Sequence, residues 1–437
     1  MHKSTSFTQH TIAIIGGGAA GLMAAYFAKL NNTETRVLLI EKNKYLGAKV
    51  IISGGGRCNV TTGISTVSEV LRNYPRGSDF LRTAMNAFPP TSVQNWFETQ
   101  GVPLKTEADF RVFPVSDDGH DIVGALENAL QELQVEIRCD TAVAEISHVV
   151  DRDAESTKES PKFLIKLKSS EEIPVHKLIL TTGGNAYRQT GSTGDGYAFA
   201  QALGHTIAPL APSLSSFITA EKWPTELSGI SFQQAKSSFI SATDQKFERS
   251  GPFLFTHKGL TGPAIFALSA MAAYENFSTE NPARILIDFF PDMNSEKLEE
   301  DIIDKFEKNS SKKLLTVLGF IVPHRLAEKI LSETTASLRL KIPANLINCS
   351  EVSRQLRQHI IRQLKSLELH LIGRGAGEEF VTAGGVPLSE VDPQTMQSRI
   401  TTGLYFAGEL LDIDGFTGGF NLQASWATGA LAGEKCH

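Results

Sequence analysis

Gly16, Gly18 and Gly21 stand at G-x-G-x-x-G spacing, and Glu41 follows 20 residues after the last of them. These residue types at these distances can hold a pyrophosphate and a ribose. The first glycine permits a tight turn, the second lets main chain approach a pyrophosphate with no side chain between, and the third lets a helix lie close on a strand. Ala19 and Ala20 share the first helical turn with Gly21, and the amides and positive dipole end there face the phosphates. A carboxylate at Glu41 accepts hydrogen bonds from both ribose hydroxyls and repels a 2′-phosphate. Lys42 beside it is a further candidate contact. The stretch predicts an adenine dinucleotide site.

The elements needed to carry such a site are in register. Ile12 to Ile15 is a continuous apolar run, the mark of a parallel strand buried on both faces. A helix follows from Ala19 to about Leu30, and a second apolar strand, Val37 to Ile40, ends at the acid. Other strands also run into glycine: Lys177 to Leu180 into Gly183 and Gly184, the VTAGG segment, and Leu404 to Ala407 into Gly408, Glu409 and Asp412. Ligands of open α/β sheets bind at the carboxyl ends of the strands, which makes these residues candidate cofactor contacts. Gly418, Gly419, Phe420 and Asn421 open the last helix, a second N-terminus directed at the same ligand. Asp195 reads as a helix cap.

Two loops add chemistry. SGGGRCN offers three consecutive glycines whose amides could cradle an anion, with Arg57 as a bidentate donor. Gly55, Gly56, Arg57 and Cys58 are therefore candidate contacts, although Cys58 itself reads as loop packing, since no histidine neighbours it in sequence. In the glycine-bounded motif around FTHKG, His257 is a titratable side chain and the first candidate for a proton donor; Arg57 is a second, and Tyr187 and Arg188 are weaker ones.

The chain of 437 residues, 41% hydrophobic, can build two or three domains with large cores. Strands are expected at Phe110 to Val115, Val135 to Ile137, Ala142 to Ile146 and Phe163 to Leu167, a helix at Asp121 to Leu133, and a charged loop at DRDAESTKESP. Beyond Thr206 short β segments (Phe217 to Thr219, Ile230 to Phe232, Ser237 to Ile240, Phe253 to Thr256) give way to helical patterns between Ser295 and Leu331 and from Ser350 to Leu364. The expected organisation is a nucleotide-binding domain of residues 1–200 and 374–437, a β-rich insertion of 201–275 and 345–373, and a helical subdomain of 276–344. The polar start MHKSTSFTQH and the lack of a long apolar run predict a cytoplasmic protein without membrane partners. Cys58, Cys139, Cys349 and Cys436 are widely separated, which predicts free thiols and no metal site.

The motifs GGGAAGL, SGGGRCN, FPVSDDG, TTGGNAYRQTGSTGDGY, FTHKGLTGPA, TAGGVPL and LYFAGELLDIDGFTGGFNLQ together resemble the BaiN/YhiN-type, aminoacetone oxidase-like family of flavoproteins over nearly the whole chain. The resemblance implies an α/β fold: a Rossmann-like FAD-binding domain of glutathione-reductase and fumarate-reductase kinship, with an inserted β-barrel-like domain and a small helical subdomain. It places Gly16, Gly18 and Gly21 at the FAD pyrophosphate, Glu41 at the adenosine ribose, Gly55, Gly56 and Arg57 toward the flavin, Asp412 on the ribitol side, and Gly419, Phe420 and Asn421 at the pyrimidine end of the isoalloxazine. A helix N-terminus there favours the anionic reduced flavin by roughly 0.3 to 2 kcal/mol. NADH or NADPH is the implied transient donor, and it has no domain of its own, because GRGAGEEF lacks the flanking turn and helix. The family is linked to reduction of conjugated double bonds in steroid-like enones, to amine oxidation, and to formation of dihydrouridine in ribosomal RNA.

Charge distribution bears on that choice. From Lys305 to Arg374 there are 13 Lys or Arg against 5 Asp or Glu, a surplus of eight in a chain whose net charge is −6. The helix bearing Arg354, Arg357, His359, Arg362 and Lys365 is especially one-signed. Such a footprint suits ribosomal RNA, although the sequence shows no motif of exposed stacking aromatics beside it. The expected function is reduction of a polarised C=C bond in a ribosomal RNA uridine. The alternatives are a reductase of small-molecule enones, an amine oxidase, and a flavin-bearing RNA-binding or redox-sensing protein.

Overall fold

The apolar run after His10 becomes β1 (Thr11–Ile15), with all five residues buried. A computed structural model describes residues 10–31, 33–149, 160–375 and 379–437; the polar start, all of the 151–161 loop except its last two residues, and the centre of GRGAGEEF lie outside these. The chain forms two compact units, Met1–Ser213 with Glu379–His437, and Leu214–Glu378.

In the first unit, β1 is followed by α1 (Ala19–Asn31), β2 (Arg36–Ile40), β3 (Glu136–Arg138), β4 (Lys177–Leu180) and β5 (Leu404–Phe406). The five strands make one parallel sheet in the order β5-β4-β1-β2-β3. Parallel pairing puts every carboxyl end on the same edge, which is why sequence-distant glycine turns converge. The strand expected at Phe110 to Val115 spans Arg111–Pro114 and that at Ala142 to Ile146 spans Val143–His148, while Phe163–Leu167 matches its expected bounds.

The last helix, α2 (Phe420–Lys435), packs along α1. The approach is as close as backbone permits: a Cβ added at Gly429 would lie 2.3 Å from the Ala20 carbonyl oxygen, and one at Gly433 would lie 2.3 Å from that of Ala24. Ala20, Ala24 and Ala28 on the facing helix are buried and small for the same reason.

The second unit is a closed six-stranded barrel in the order 217–219, 259–261, 246–255, 231–240, 283–288, 367–374. Its centre holds Phe217, Phe239, Phe253 and Phe255, all fully buried, each contributing about 1.5–3 kcal/mol of burial energy. The helices Ser295–Lys308, His324–Ser337 and Arg354–Lys365 extend the same core. Two local expectations fail. The segments at 230–232 and 237–240 are one strand, Ser231–Ile240, with a register shift between Phe232 and Ala235; the polar Gln233 and Gln234 concealed its continuity. Residues 283–288, within the stretch read as helical, form a barrel strand with Ala283, Ile285 and Ile287 turned inward. Only pairing with 236–240 and 367–371 makes this short run a strand rather than a helical turn.

Alanine at an internal helix position normally gains up to about 1 kcal/mol over glycine. At Gly429 the contact reverses that sign: Gly429→Ala is expected to lose about 1–3 kcal/mol in urea unfolding. A variant as stable as the parent would refute the close packing of α1 on α2.

Candidate functional site

The site is built where the carboxyl ends of β5, β4, β1 and β2 lie side by side. After β1 the chain turns at Gly16 (φ 109°), where a side chain would strike the Thr181 carbonyl oxygen at 2.6 Å. The Thr181 hydroxyl, at the end of β4, donates to the carbonyls of Ile15 and Gly16, both at 2.9 Å. At Gly21 a Cβ would sit 1.9 Å from the Gly16 carbonyl oxygen, so helix and strand touch through backbone. Gly18 is the contrast: a Cβ there meets no protein atom within 4 Å. The turn is thus crowded at Gly16 and Gly21 and open at Gly18, as a pyrophosphate cradle requires. The glycines of 54–56 follow suit, with φ of 58°, 75° and 91° and open space above Gly55 and Gly56.

Glu41 is buried at the end of β2. Its Oε2 accepts from Gly17 N–H at 2.6 Å and its Oε1 from Asn43 N–H at 2.8 Å, so the carboxylate holds the glycine turn. Lys42 bonds Asp195 and Thr193, each at 2.6 Å. Asp195 is the first residue of its helix and Gly194 is the cap. Asp195 is therefore an ion-pair partner rather than the expected cap.

At β4 and β5 the candidate residues interlock. Glu409 accepts from Lys49 Nζ at 2.7 Å and from Thr382 N–H at 2.9 Å, while a Cβ on Gly184 would lie 2.6 Å from Thr382 Oγ1 and 2.9 Å from Glu409 Oε1. Gly183 turns the chain in the left-handed region (φ 75°), and the Gly408 N–H donates to Thr428 Oγ1 at 3.0 Å. Asp412 accepts from Gly384 N–H at 3.1 Å, and burial raises its carboxyl above the usual range. Two residues on, Asp414 is fully buried and held bidentate by Arg76, with the Ser213 hydroxyl donating at 2.6 Å. Sequence reasoning missed this trio; the acidic pattern of DIDG was its one visible sign.

α2 begins after Gly419 (φ 86°), where a Cβ would lie 2.3 Å from the Thr61 carbonyl oxygen. Asn421 closes the turn before it, accepting from Gly415 N–H and donating to the Gly415 carbonyl, both at 2.8 Å. Tyr74 donates its hydroxyl to the Phe420 carbonyl at 2.6 Å.

Arg57 is the candidate most fully engaged by its own chain. Its guanidinium lies 3.7 Å over the Phe113 ring and pairs with Glu107 at 2.8 Å and Asp117 at 3.2 Å. The hydrogen bond from Arg57 holds the Glu107 carboxyl below its ordinary range, and that from Lys105 does the same for Asp117. Cys58 is buried in a left-handed conformation (φ 57°), and desolvation pushes its thiol up to about 12, which removes the thiolate a nucleophile needs. His257 belongs to the second unit, exposed at a tight turn that Thr256 organises by accepting from Lys258 N–H and Gly259 N–H. Among the described residues no group of three or more His, Cys, Asp or Glu could hold a metal, and no helix is long and apolar enough to cross a membrane.

The basic segment changes on folding. Lys308, Lys329, Arg357 and Lys365 pair with Asp304, Glu333, Glu299 and Asp288, so the one-signed helix spends Arg357 and Lys365 on acids that precede the segment or face it. Arg354 and Arg362 remain exposed, and burial lowers the His359 imidazole below its ordinary value.

A turn bounded by backbone contacts, open at Gly18 and closed by a buried acid on the neighbouring strand, marks a dinucleotide-binding α/β protein. The chain belongs to the family described as HI0933-like protein Rossmann domain, whose model matches residues 10–435, and with that family it is an FAD-dependent oxidoreductase. It is 30% identical over 426 residues to the 3-dehydro-bile acid delta(4,6)-reductase of Clostridium scindens, covering 97% of this chain and 98% of that protein. It is 28% identical over 420 residues to the ribosomal RNA dihydrouridine synthase of Haemophilus influenzae, covering 95% of each. Among solved structures, the 3-ketosteroid-delta4-(5alpha)-dehydrogenase of Rhodococcus jostii RHA1 aligns with a TM-score of 0.48 at 15% identity, over 99% of this chain and 98% of that one.

Elsewhere in the first unit, Ser398, His205 and Glu390 form a hydrogen-bonded row at 2.8 and 2.9 Å that resembles a hydrolytic triad. Ser398 is buried, and its Oγ already accepts from Ile400 N–H and Thr401 N–H, so the row closes a turn instead.

Two outcomes follow from these geometries. Gly18→Ala should leave apoprotein stability within about 0.5 kcal/mol of the parent while cutting bound flavin at least ~10-fold; Gly21→Ala should lose about 1–3 kcal/mol. Flavin absorbance per protein and urea midpoints check both, and full flavin retention by Gly18→Ala would sink the cradle. Burial also holds the His205 imidazole below its ordinary value, so it stays neutral in the fold while the unfolded chain takes up a proton. Its contribution is present above about pH 6.5 and is lost as pH falls, at up to about 1.4 kcal/mol per pH unit. Urea titrations at pH 7 and pH 5 should show the loss, and His205→Gln should shrink it.

Proposed function

We propose that the protein reduces a carbon–carbon double bond conjugated to a carbonyl, with uridine of ribosomal RNA as substrate and dihydrouridine as product. The observation that carries this reading is the unpaired part of the basic segment. Among the described residues nine of its 13 Lys and Arg make no ion pair with a carboxylate, and of these Lys312, Lys313, Lys341, Arg354 and Arg362 are exposed. A folded RNA uses such a surplus. A small enone has no need of it.

When bound, FAD supplies a hydride equivalent taken from NADH or NADPH. The chain's own residues would hold and tune it: the amides after Gly16 and around Gly55 and Gly56 would meet the pyrophosphate, Glu41 the ribose, Asp412 the ribitol, and the α2 N-terminus the developing negative charge. His257 is the first candidate to protonate the carbon next to the carbonyl, and Arg57 the second. The smaller-substrate reading, a steroid-like enone, is favoured by the Clostridium relative. Both substrates present a C=C bond polarised by a carbonyl, so the flavin site serves either.

Nucleoside mass spectrometry of ribosomal RNA from cells with and without the protein separates them. Loss of dihydrouridine, restored by the wild type but not by Gly18→Ala, is the expected outcome. An unchanged profile, with purified enzyme oxidising NADH or NADPH against a 3-oxo-Δ4 steroid, would move the assignment to small enones.

A further inference from the structure

The turn between helices Leu314–Leu318 and His324–Ser337 carries Phe320, a residue 62% exposed. Leu318 and Val322 on either side of it are buried, which makes the turn a fixed mount and not a loose tip. Lys312 Nζ lies 5.3 Å from the Phe320 ring centroid, and Lys313 Nζ reaches the Leu346 carbonyl at 2.7 Å. The segment Ala344–Leu346 packs on helix Leu314–Leu318; Leu346, whose carbonyl takes the Lys313 ammonium, is 53% exposed, and Lys341 and Ile342 precede it in the chain, Ile342 being 60% exposed. Among the described residues none of the three lysines pairs with a carboxylate. An exposed aromatic on a rigid mount, extended by aliphatic side chains and flanked by unneutralised ammonium groups, is what a single-stranded nucleic acid recognises, through base stacking and phosphate contact. A partner protein would need acidic residues to meet the lysines, whereas a nucleic acid brings a phosphate for each base it stacks.

We infer that this face docks a single-stranded segment of RNA, one base stacking on Phe320 and adjoining phosphates meeting Lys312, Lys313 and Lys341. The inference rests on the RNA reading above and adds where the RNA is held. Phe320 is far from every residue assigned to the flavin cradle in sequence and belongs to the other unit, so its replacement leaves that cradle intact.

The test uses the full-length flavin-loaded protein and a fluorescein-labelled, uridine-rich single-stranded RNA in anisotropy titrations across a salt series. Phe320→Ala should weaken binding roughly 5- to 150-fold, the range for one stacked base. Phe320→Tyr should bind like the parent, and Lys312→Ala with Lys313→Ala should flatten the salt slope by about 1.4. NADH or NADPH oxidation without RNA should be unchanged in all three. Parent-like RNA binding by Phe320→Ala overturns the inference, as does self-association of the parent that Phe320→Ala abolishes, because a second copy would then be the occupant. If the wild type forms dihydrouridine and Phe320→Ala retains its KM for RNA, the docking face fails and the RNA reading stands. If Phe320→Ala loses RNA affinity in a protein that forms no dihydrouridine, the face stands and the uridine reading fails.

Discussion

The structure depends on backbone touching backbone around α1. That helix meets β1 through Gly21 against the Gly16 carbonyl, and meets α2 through Gly429 and Gly433 against the carbonyls of Ala20 and Ala24. With a side chain at any of these glycines the helix would stand off, and its N-terminus would no longer open onto the space above Gly18. The first and last helices of the unit are thereby fixed to each other. Two helix N-termini from opposite ends of the chain are consequently held on one sheet edge.

Around that contact the polar groups divide the work. Glu41 and Thr181 hold the glycine turn from the two neighbouring strands, and Asn421 with Tyr74 holds the start of α2. The buried pair of Arg76 and Asp414 sits beneath the Asp412 loop; removing one partner alone would leave a desolvated charge, a cost of about 3–5 kcal/mol. These residues keep the walls of the cradle in place before a cofactor arrives, which lowers the ordering cost of binding it. Arg57 contributes in the same way, as the centre of an ion-pair group over Phe113.

The second unit shows how composition misleads when read along one segment. A surplus counted from Lys305 to Arg374 includes cations that folding returns to acids outside or across that stretch, such as Arg357 to Glu299 and Lys365 to Asp288. Of the cations that remain, Lys312 lies beside Phe320. The exposure of Phe320 follows from a turn between two helices, and the one-dimensional pattern around it, buried leucine and valine included, looks like ordinary core.

The sequence by itself determined the first βαβ unit, the glycine spacing, the acid on β2 and the glycine-ended strands, because these depend on local backbone requirements that only particular residues meet. Strand 283–288 was decided by pairing with segments about 50 and 80 residues away, and the continuity of Ser231–Ile240 by a bulge that two polar residues obscured. The partners of Arg57, Arg76, Asp195 and Glu409, like the exposure of Phe320, were set only by tertiary structure. Long-range ion pairs and solvent exposure depend on which surfaces meet, and no local preference of the chain encodes that.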